Sequence, residues 1–139
     1  MVITFPGSPE YEAHIGIFVT GKSQVLHECD IAIIDRAEAQ KCRFNQVHPR
    51  ISKVRIVVEC KFHTATLQLN YGRAFLGLTA DLSKENRFLV PNVGSSNIER
   101  LASYHKTDWD IGLDLSDSHI RVNLQSRLSR AFRNLKALT

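Results

Sequence analysis

Hydrophobic and polar residues alternate with a period of two along much of the first half of the chain, which is typical of β-strands. Ile15, Ile17 and Val19 form the first alternating run, and the segment 21–24 after it, with glycine and polar residues, predicts a hairpin turn. Two further strand candidates are rich in β-branched residues and span residues 25–35 and 54–62. The first half therefore predicts three successive strands.

Two stretches of the first half lack such a pattern. Residues 1–12 contain Pro6 and Pro9, so we expect no regular element there. Residues 36–53 are mostly polar and include Pro49, which predicts a long exposed connection.

The second half changes to the period of helices. Residues 65–80 carry apolar side chains three and four positions apart and predict a helix. After it we predict a short strand at 87–90, a helix from the capping box at Ser96 to about His105, and a strand at 109–115. A final helix is predicted with Asp117 as its N-cap. The apolar face of that helix consists of Leu124, Leu128, Phe132, Leu135 and Leu138. Strands followed by alternating helices and strands predict an α/β fold, with a mixed central β-sheet flanked by helices.

Composition narrows the class of protein. A chain of 139 residues with 43% hydrophobic and 23% charged residues predicts one globular domain over residues 1–139, alone or within a larger protein. No apolar run approaches the roughly 20 residues of a membrane span, and the N-terminus does not resemble a secretory signal. Three cysteines without a CxxC pair favour a reducing, cytoplasmic location. The net charge of +4 is compatible with a polyanionic partner.

Charged residues stand inside two of the predicted strands, where burial would be costly unless they are paired or bind a metal. Glu28 and Asp30 are two residues apart, as are Glu59 and Lys61, so each pair is expected to share one face of its strand. We therefore expect Asp30, Glu59 and Lys61 to form one cluster.

The residue types in this cluster suggest phosphate chemistry. Two carboxylates on neighbouring strands can hold Mg²⁺ or Mn²⁺, and the backbone carbonyl of Cys60 and the carboxylate of Glu28 are candidate additional ligands. Such an ion polarises a phosphate and lowers the pKa of bound water. Lys61 can then position or deprotonate the attacking water or stabilise charge at the phosphate. The Cys60 side chain itself is expected to be a small buried hydrophobe.

Asp30, followed by Glu59-Cys60-Lys61 at the end of a hydrophobic strand, resembles the Asp…(Asp/Glu)-x-Lys signature of the restriction-endonuclease-like, or PD-(D/E)XK, nuclease superfamily. The resemblance covers roughly residues 15–91. It implies a βββαβ core preceded by a helix, here with an αβα extension, and a metal-dependent endonuclease acting on DNA more often than RNA, for example in a restriction or defence system. One departure is that no N-terminal helix is evident, although Glu10 and Glu12 lie where that helix often brings an acid.

Other functions remain open for the same residues. An RNA-cleaving or toxin-like nuclease of the same fold is one alternative, and a catalytically silent module that binds nucleic acid or dimerises is another. Glu59 and Lys61 could also be an ion pair on a solvated strand face. A domain of this size often needs a homodimer or a partner domain to grip a duplex.

Further cations are candidates for nucleic-acid contacts. His63 is expected on the same strand face as Lys61. Arg73 and Tyr71 lie on the predicted helix that follows, where they could face the site. For Tyr71, a place in the hydrophobic core is the alternative interpretation. The final helix carries a basic stripe that could bind phosphates or be an ordinary solvated face. Its members include Arg127, Arg130 and Arg133.

Overall fold

The fold is described from a computed structural model, which covers residues 2–5, 8–61, 69–81, 87–91, 96–104 and 118–137. Its elements in chain order are β1 (Val2–Phe5), β2 (Ser8–Thr20), β3 (Leu26–Asp35), α1 (Arg36–Asn45), a 3-10 turn (Ile51–Lys53), β4 (Val54–Lys61), α2 (Leu69–Asp81), β5 (Arg87–Pro91), α3 (Ser96–Tyr104) and α4 (Ser118–Ala137). The strands form one five-stranded sheet in the order β1-β2-β3-β4-β5, with β4 and β5 parallel and the other pairs antiparallel. The predicted α/β class, with a mixed sheet and helices, is confirmed.

The last helix covers one face of this sheet. Ile33, Ile56 and Val58 from the two central strands pack on that face with Leu135 of α4. The partly buried residues of α4 in the same cluster are Leu124, Leu128 and Phe132. Three- and four-residue spacing thus gives α4 a single apolar side that it buries against the sheet. The predicted apolar face of this helix was expected to cover either the sheet or a partner subunit, and its described residues pack against the sheet.

The other face of the sheet is covered by α1, α2 and α3. Ala32 and Val57 of the central strands share a cluster with Ala39 of α1 and with Leu78 of α2. Leu89 of β5 is fully buried in an adjoining cluster that contains residues of α2 and α3. The sheet is therefore the middle of three layers, with α4 alone on one side among the described helices.

The β2–β3 hairpin does not continue the plane of the sheet. Cys29 lies in the same buried cluster as Ala32, although an uninterrupted strand would place residues three apart on opposite faces. The pairing of β2 with β3 also skips one position, between the pairs Ile15–Ile31 and Ile17–Cys29, where Gly16 has a φ of 65°. A left-handed residue of this kind is costly for most side chains other than glycine. Residues 17–29, here called the hairpin arm, bend there onto the α1–α2 layer.

The tip of the hairpin arm is fastened at two places. Asp81, at the end of α2, accepts hydrogen bonds from the backbone N–H and the hydroxyl of Ser23, both at 2.6 Å, and lies 2.6 Å from Nε2 of His27. On the other strand of the arm, the backbone N–H of Thr20 donates to the carbonyl of Pro49 at 2.9 Å. The bend is thus held by contacts with residues far away in the sequence.

The prediction that residues 1–12 are irregular is wrong. Residues 2–5 form β1 and residue 8 already belongs to β2. Pro9 is tolerated because it falls where the register of β1 and β2 shifts, and pairing of β2 with β3 begins only at Tyr11. A proline at such an irregular position removes no regular ladder hydrogen bond.

The prediction that residues 36–53 are an exposed connection is also wrong for its first part. Residues 36–45 form α1, which begins after Asp35 and ends at Gln46 in a left-handed conformation. Its buried positions are Ala39 and Cys42, three residues apart. Such small side chains produce little hydrophobic contrast, so the amphipathic pattern is weak although alanine, glutamate and lysine favour helix.

Several local predictions are confirmed. The hairpin turn at 21–24 closes with a 3.1 Å hydrogen bond from the backbone N–H of Gln24 to the carbonyl of Gly21. The strand at β5 and the helix α3 occur as expected. The predicted beginning of α2 at residue 65, the strand at 109–115, and the residues Asp117 and Leu138 lie outside the described residues. None of the described helices combines the length and apolar character that crossing a membrane requires.

Candidate functional site

Asp30 of β3 and Glu59 of β4 lie opposite each other at the point where these two strands separate. Pairing of β3 with β4 ends at Ile31 and Val58, so Asp30 and Glu59 occupy the next opposed positions. Beyond that point β3 continues beside β2, while β4 continues beside β5, where Glu59 pairs with Leu89. The sheet therefore forks between Asp30 and Glu59.

Each carboxylate crosses this fork to the backbone of the other strand. Oδ2 of Asp30 accepts a hydrogen bond from the backbone N–H of Cys60 at 2.7 Å. Oε1 of Glu59 accepts one from the backbone N–H of Asp30 at 3.4 Å. The acids thus bind backbone donors at the place where the ladder between β3 and β4 has ended, which fixes both carboxylates at the fork.

Burial and charge make Glu59 an unusual acid. Its exposed fraction is 7%, and burial together with the negative charge of Asp30 raises the pKa of Glu59 to about 7. Nζ of Lys61 lies 3.8 Å from Oε2 of Glu59, and its positive charge opposes part of that rise in pKa. Burial, reinforced by the charges of Glu59 and Asp30, also raises the pKa of the Cys29 thiol to about 12. Among the described residues, the fork is therefore a site of negative potential with the ammonium group of Lys61 beside it.

This arrangement fits a hard divalent cation. Two carboxylates that repel each other in a partly dehydrated place are stabilised by a shared cation, and Mg²⁺ typically takes one or two protein carboxylates and completes its shell with water or phosphate oxygens. No group of three or more His, Cys, Asp or Glu side chains suited to a metal occurs in the part of the chain that the structure describes. The side-chain ligands offered here are thus the two carboxylates of Asp30 and Glu59.

Glu28 and the backbone carbonyl of Cys60 were predicted as additional ligands, and the carbonyl of Cys60 stays a prediction. Glu28 is exposed on the hairpin arm, and no hydrogen bond joins it to Asp30 or Glu59 among the described residues. The Cys60 side chain is exposed, so the prediction that it is buried is wrong. Both faces of β4 are buried from Ile56 to Glu59, and this burial ends at Cys60, the last position but one of the strand.

Three of the five residues predicted to contact nucleic acid lie on the other side of the sheet from Glu59. Val58 faces α4, so its neighbour Glu59 faces the other layer together with Leu89. The exposed arginines of α4 therefore lie on the far side of the sheet from Glu59, and they include Arg127, Arg130 and Arg133. Arg73 is exposed on α2, in the layer that Glu59 faces, and His63 lies outside the described residues.

Tyr71 on α2 is partly buried and packs against the cluster that contains Leu89. This position agrees with its interpretation as a core aromatic.

Glu12, considered from sequence as an accessory acid, has another role. It is buried on β2 and accepts hydrogen bonds from both terminal nitrogens of Arg43, at 2.8 and 3.0 Å, and lies 2.9 Å from Nε2 of His14. The hydrogen bonds from Arg43 hold the pKa of Glu12 below its usual value. This bidentate ion pair fastens α1 to β2.

Sequence reasoning also overlooked a group of cations between α1 and β4. Lys41, Arg50 and Lys53 line one cleft there. The available signal was the number of lysines and arginines in residues 36–53, which were interpreted only as an exposed connection.

The chain matches no protein-family model, no curated protein and no solved structure. A functional conclusion therefore depends on the geometry of the fork and on the sequence signature found there.

Proposed function

We propose that this chain is a divalent-cation-dependent nuclease of the PD-(D/E)XK type, with its site at the fork of the sheet. The observation that carries the proposal is the pair of carboxylates of Asp30 and Glu59 on neighbouring strands. The side chain of Glu59 is buried, and Nζ of Lys61 lies 3.8 Å from its Oε2. The order β2-β3-β4, then α2, then a parallel β5 supports it, because the resemblance implies a βββαβ core with these residues on its second and third strands. Helix α1 is an addition between two core strands.

The residues at the fork have two different roles. Asp30 and Glu59 hold the cation. Because the pKa of Glu59 is raised to about 7, part of the protein carries a proton on Glu59 near neutral pH, and this proton must leave when the cation binds. A bound Mg²⁺ or Mn²⁺ supplies the polarisation of the phosphodiester and the activation of water. Lys61 stabilises charge that develops on the phosphate or orients the attacking water, which is a separate role from holding the ion.

DNA is the proposed substrate, in a restriction or defence setting, because the resemblance is most often associated with DNA cleavage. RNA cleavage at the same site is the alternative within this chemistry. A silent nucleic-acid-binding or dimerisation module is disfavoured because Asp30, Glu59 and Lys61 are all present and lie together. Both nuclease versions require the same cation site.

The direct test is cleavage of supercoiled plasmid and of total RNA in Mg²⁺, in Mn²⁺ and in EDTA. We expect plasmid nicking that needs the cation and is lost in Asp30→Asn and in Glu59→Gln. Glu99→Gln, which changes an exposed acid on α3 in the same way, is the matched control and should cut like wild type. RNA degradation without nicking would establish the alternative substrate. Absence of any cleavage, or cleavage that persists in Glu59→Gln, would contradict a nuclease site at the fork.

A further inference from the structure

A cleft of about 400 Å³ lies between α1 and the segment that leads into β4. Its described lining consists of Glu38, Lys41, Cys42, Val47, His48, Arg50, Ser52 and Lys53. A second cleft, of about 600 Å³, adjoins it and shares Glu38, Lys41 and Lys53 with it. Together they form a groove along α1, large enough for a nucleotide or a short stretch of chain. The second cleft is also lined by the acids Glu10 and Asp35, so the excess of positive charge lies in the first cleft.

The positive charges of the first cleft are not neutralised within the described protein. Lys41, Arg50 and Lys53 are exposed and take part in no ion pair among the described residues, and Glu38 is the one acid of the described lining. The nearby arginines differ in this respect. Arg43 is paired with Glu12, at 2.8 Å, and Arg55 with Asp35, at 3.0 Å. Three cations that line one cleft with a single described acid, Glu38, leave a net positive charge that attracts a polyanion such as a phosphodiester backbone.

Aromatic rings lie exposed beside these cations. Phe44 is 89% exposed and follows Lys41 by three residues on α1, which makes the two side chains neighbours on the helix surface. Phe18 of the hairpin arm is 46% exposed, and its ring centroid is 5.8 Å from that of His48, which lines the cleft. Exposed rings beside phosphate-binding cations are the surface on which unpaired bases stack.

We propose that this groove binds single-stranded nucleic acid, with phosphates at Lys41, Arg50 and Lys53 and bases stacked on Phe44 and Phe18. A single strand is favoured over a duplex because only unpaired bases have faces free to stack on a protein ring. The proposal deepens the proposed function, on which it rests, by naming single-stranded regions as the substrate class.

The position of the groove suits a strand that continues to the carboxylates. Lys53 immediately precedes β4 and Glu59 lies six residues further along it, which is about 20 Å at roughly 3.3 Å per residue. Both α1 and Glu59 are on the side of the sheet opposite α4. A strand bound in the groove can therefore reach the fork without crossing the sheet.

The test measures binding in EDTA, where cleavage cannot interfere, by fluorescence anisotropy of labelled oligonucleotides. The probes are a 12-nucleotide oligo-dT, a 12-nucleotide oligo-U and a 12-base-pair DNA duplex. We expect wild type to bind a single strand at least tenfold more tightly than the duplex, and the two single strands distinguish DNA from RNA as the source. Lys41→Ala/Lys53→Ala should weaken single-strand binding at least tenfold and reduce the slope of log K against log salt by about 1.4.

The matched control is Arg130→Ala/Arg133→Ala, which removes the same charge from α4 on the other side of the sheet and should change binding less than twofold. Phe44→Ala should weaken single-strand binding on the order of tenfold while leaving the salt slope unchanged. Equal binding of duplex and single strand, an equal loss in the α4 control, or unchanged binding in Phe44→Ala would each overturn the proposal. Because no readout uses cleavage, these outcomes are independent of whether the fork proves to be a nuclease site.

Discussion

Glu59 and Asp30 form a carboxylate pair across the fork, in which Oε1 of Glu59 accepts the backbone N–H of Asp30 at 3.4 Å. Burial and the charge of Asp30 raise the pKa of Glu59 to about 7, so a proton or a cation on this pair stabilises the folded protein. Protonation, cation binding and stability are therefore linked at a single residue.

The first prediction concerns stability against pH without metal. The folded pKa of Glu59, about 7, exceeds its ordinary value of 4.5, so its favourable contribution is complete below pH 4.5 and is lost as pH rises through 7. In EDTA we expect the free energy of unfolding of wild type to fall between pH 5 and 8 by up to roughly 3 kcal/mol relative to Glu59→Gln. Urea denaturation at several pH values measures this. Saturating Mn²⁺ should remove this loss of stability at high pH. If the free energy of unfolding of Glu59→Gln falls with pH as steeply as that of wild type, another group is responsible.

Lys61 can be separated from the cation ligands by its own variant. Lys61→Ala should reduce cleavage by about 10²–10⁴-fold, because a group that acts on water or on developing charge contributes to rate in that range. Cation binding and oligonucleotide binding should be largely retained, whereas Glu59→Gln should lose the cation as well. Isothermal titration with Mn²⁺ beside single-turnover cleavage separates the two cases. If Lys61 and Glu59 are only an ion pair, Lys61→Ala will cost about 0–1 kcal/mol of stability and leave cleavage intact.

The bend of the hairpin arm can be tested with two glycines. Gly16 has a φ of 65° and open space where a Cβ would be, so Gly16→Ala should cost about 1–2 kcal/mol through backbone strain alone. Gly77, within α2, also has open space but no left-handed φ, so Gly77→Ala should stabilise the protein by about 0.5–1 kcal/mol. Thermal unfolding gives both values. Equal effects of the two substitutions would mean that Gly16 is not required for the bend.

The contact between α2 and the arm tip predicts a local effect. Hydrogen bonds from Ser23 and His27 lower the pKa of Asp81 to about 2, so the stabilisation it provides is present above pH 4 and is lost as pH falls through 2. At pH 7, Asp81→Asn should lower the melting temperature and speed amide hydrogen exchange in residues 17–29 more than elsewhere. Glu99→Gln on α3 serves as the control and should leave that exchange unchanged. Uniformly faster exchange over the whole sheet would instead indicate global destabilisation.

The juxtaposition of Asp30 and Glu59 could be predicted because it follows from a period of two on successive strands, which is local information. The class of fold could be predicted for the same reason. Helix α1 could not, since its buried side consists of Ala39 and Cys42 and gives almost no contrast with its polar side.

The bend of the hairpin could not be predicted either. The residues around Gly16 alternate as in a continuous strand, and the left-handed φ leaves no trace in that pattern. The fastening of the arm depends on Asp81, which is 54 residues from His27, and a single contact at that separation has no periodic signal. The groove lined by cations could not be predicted because its residues come from residues 36–53, where helix α1 was not predicted.

The fork assigns its two acids to different parts of the molecule. Asp30 stands where the hairpin arm leaves the sheet, whereas Glu59 belongs to a strand embedded between β3 and β5. Gly16 is the position of β2 opposite Asp30, so the main-chain direction there affects where Asp30 lies relative to Glu59. A change in the arm is therefore expected to alter the spacing of the two acids without changing either carboxylate.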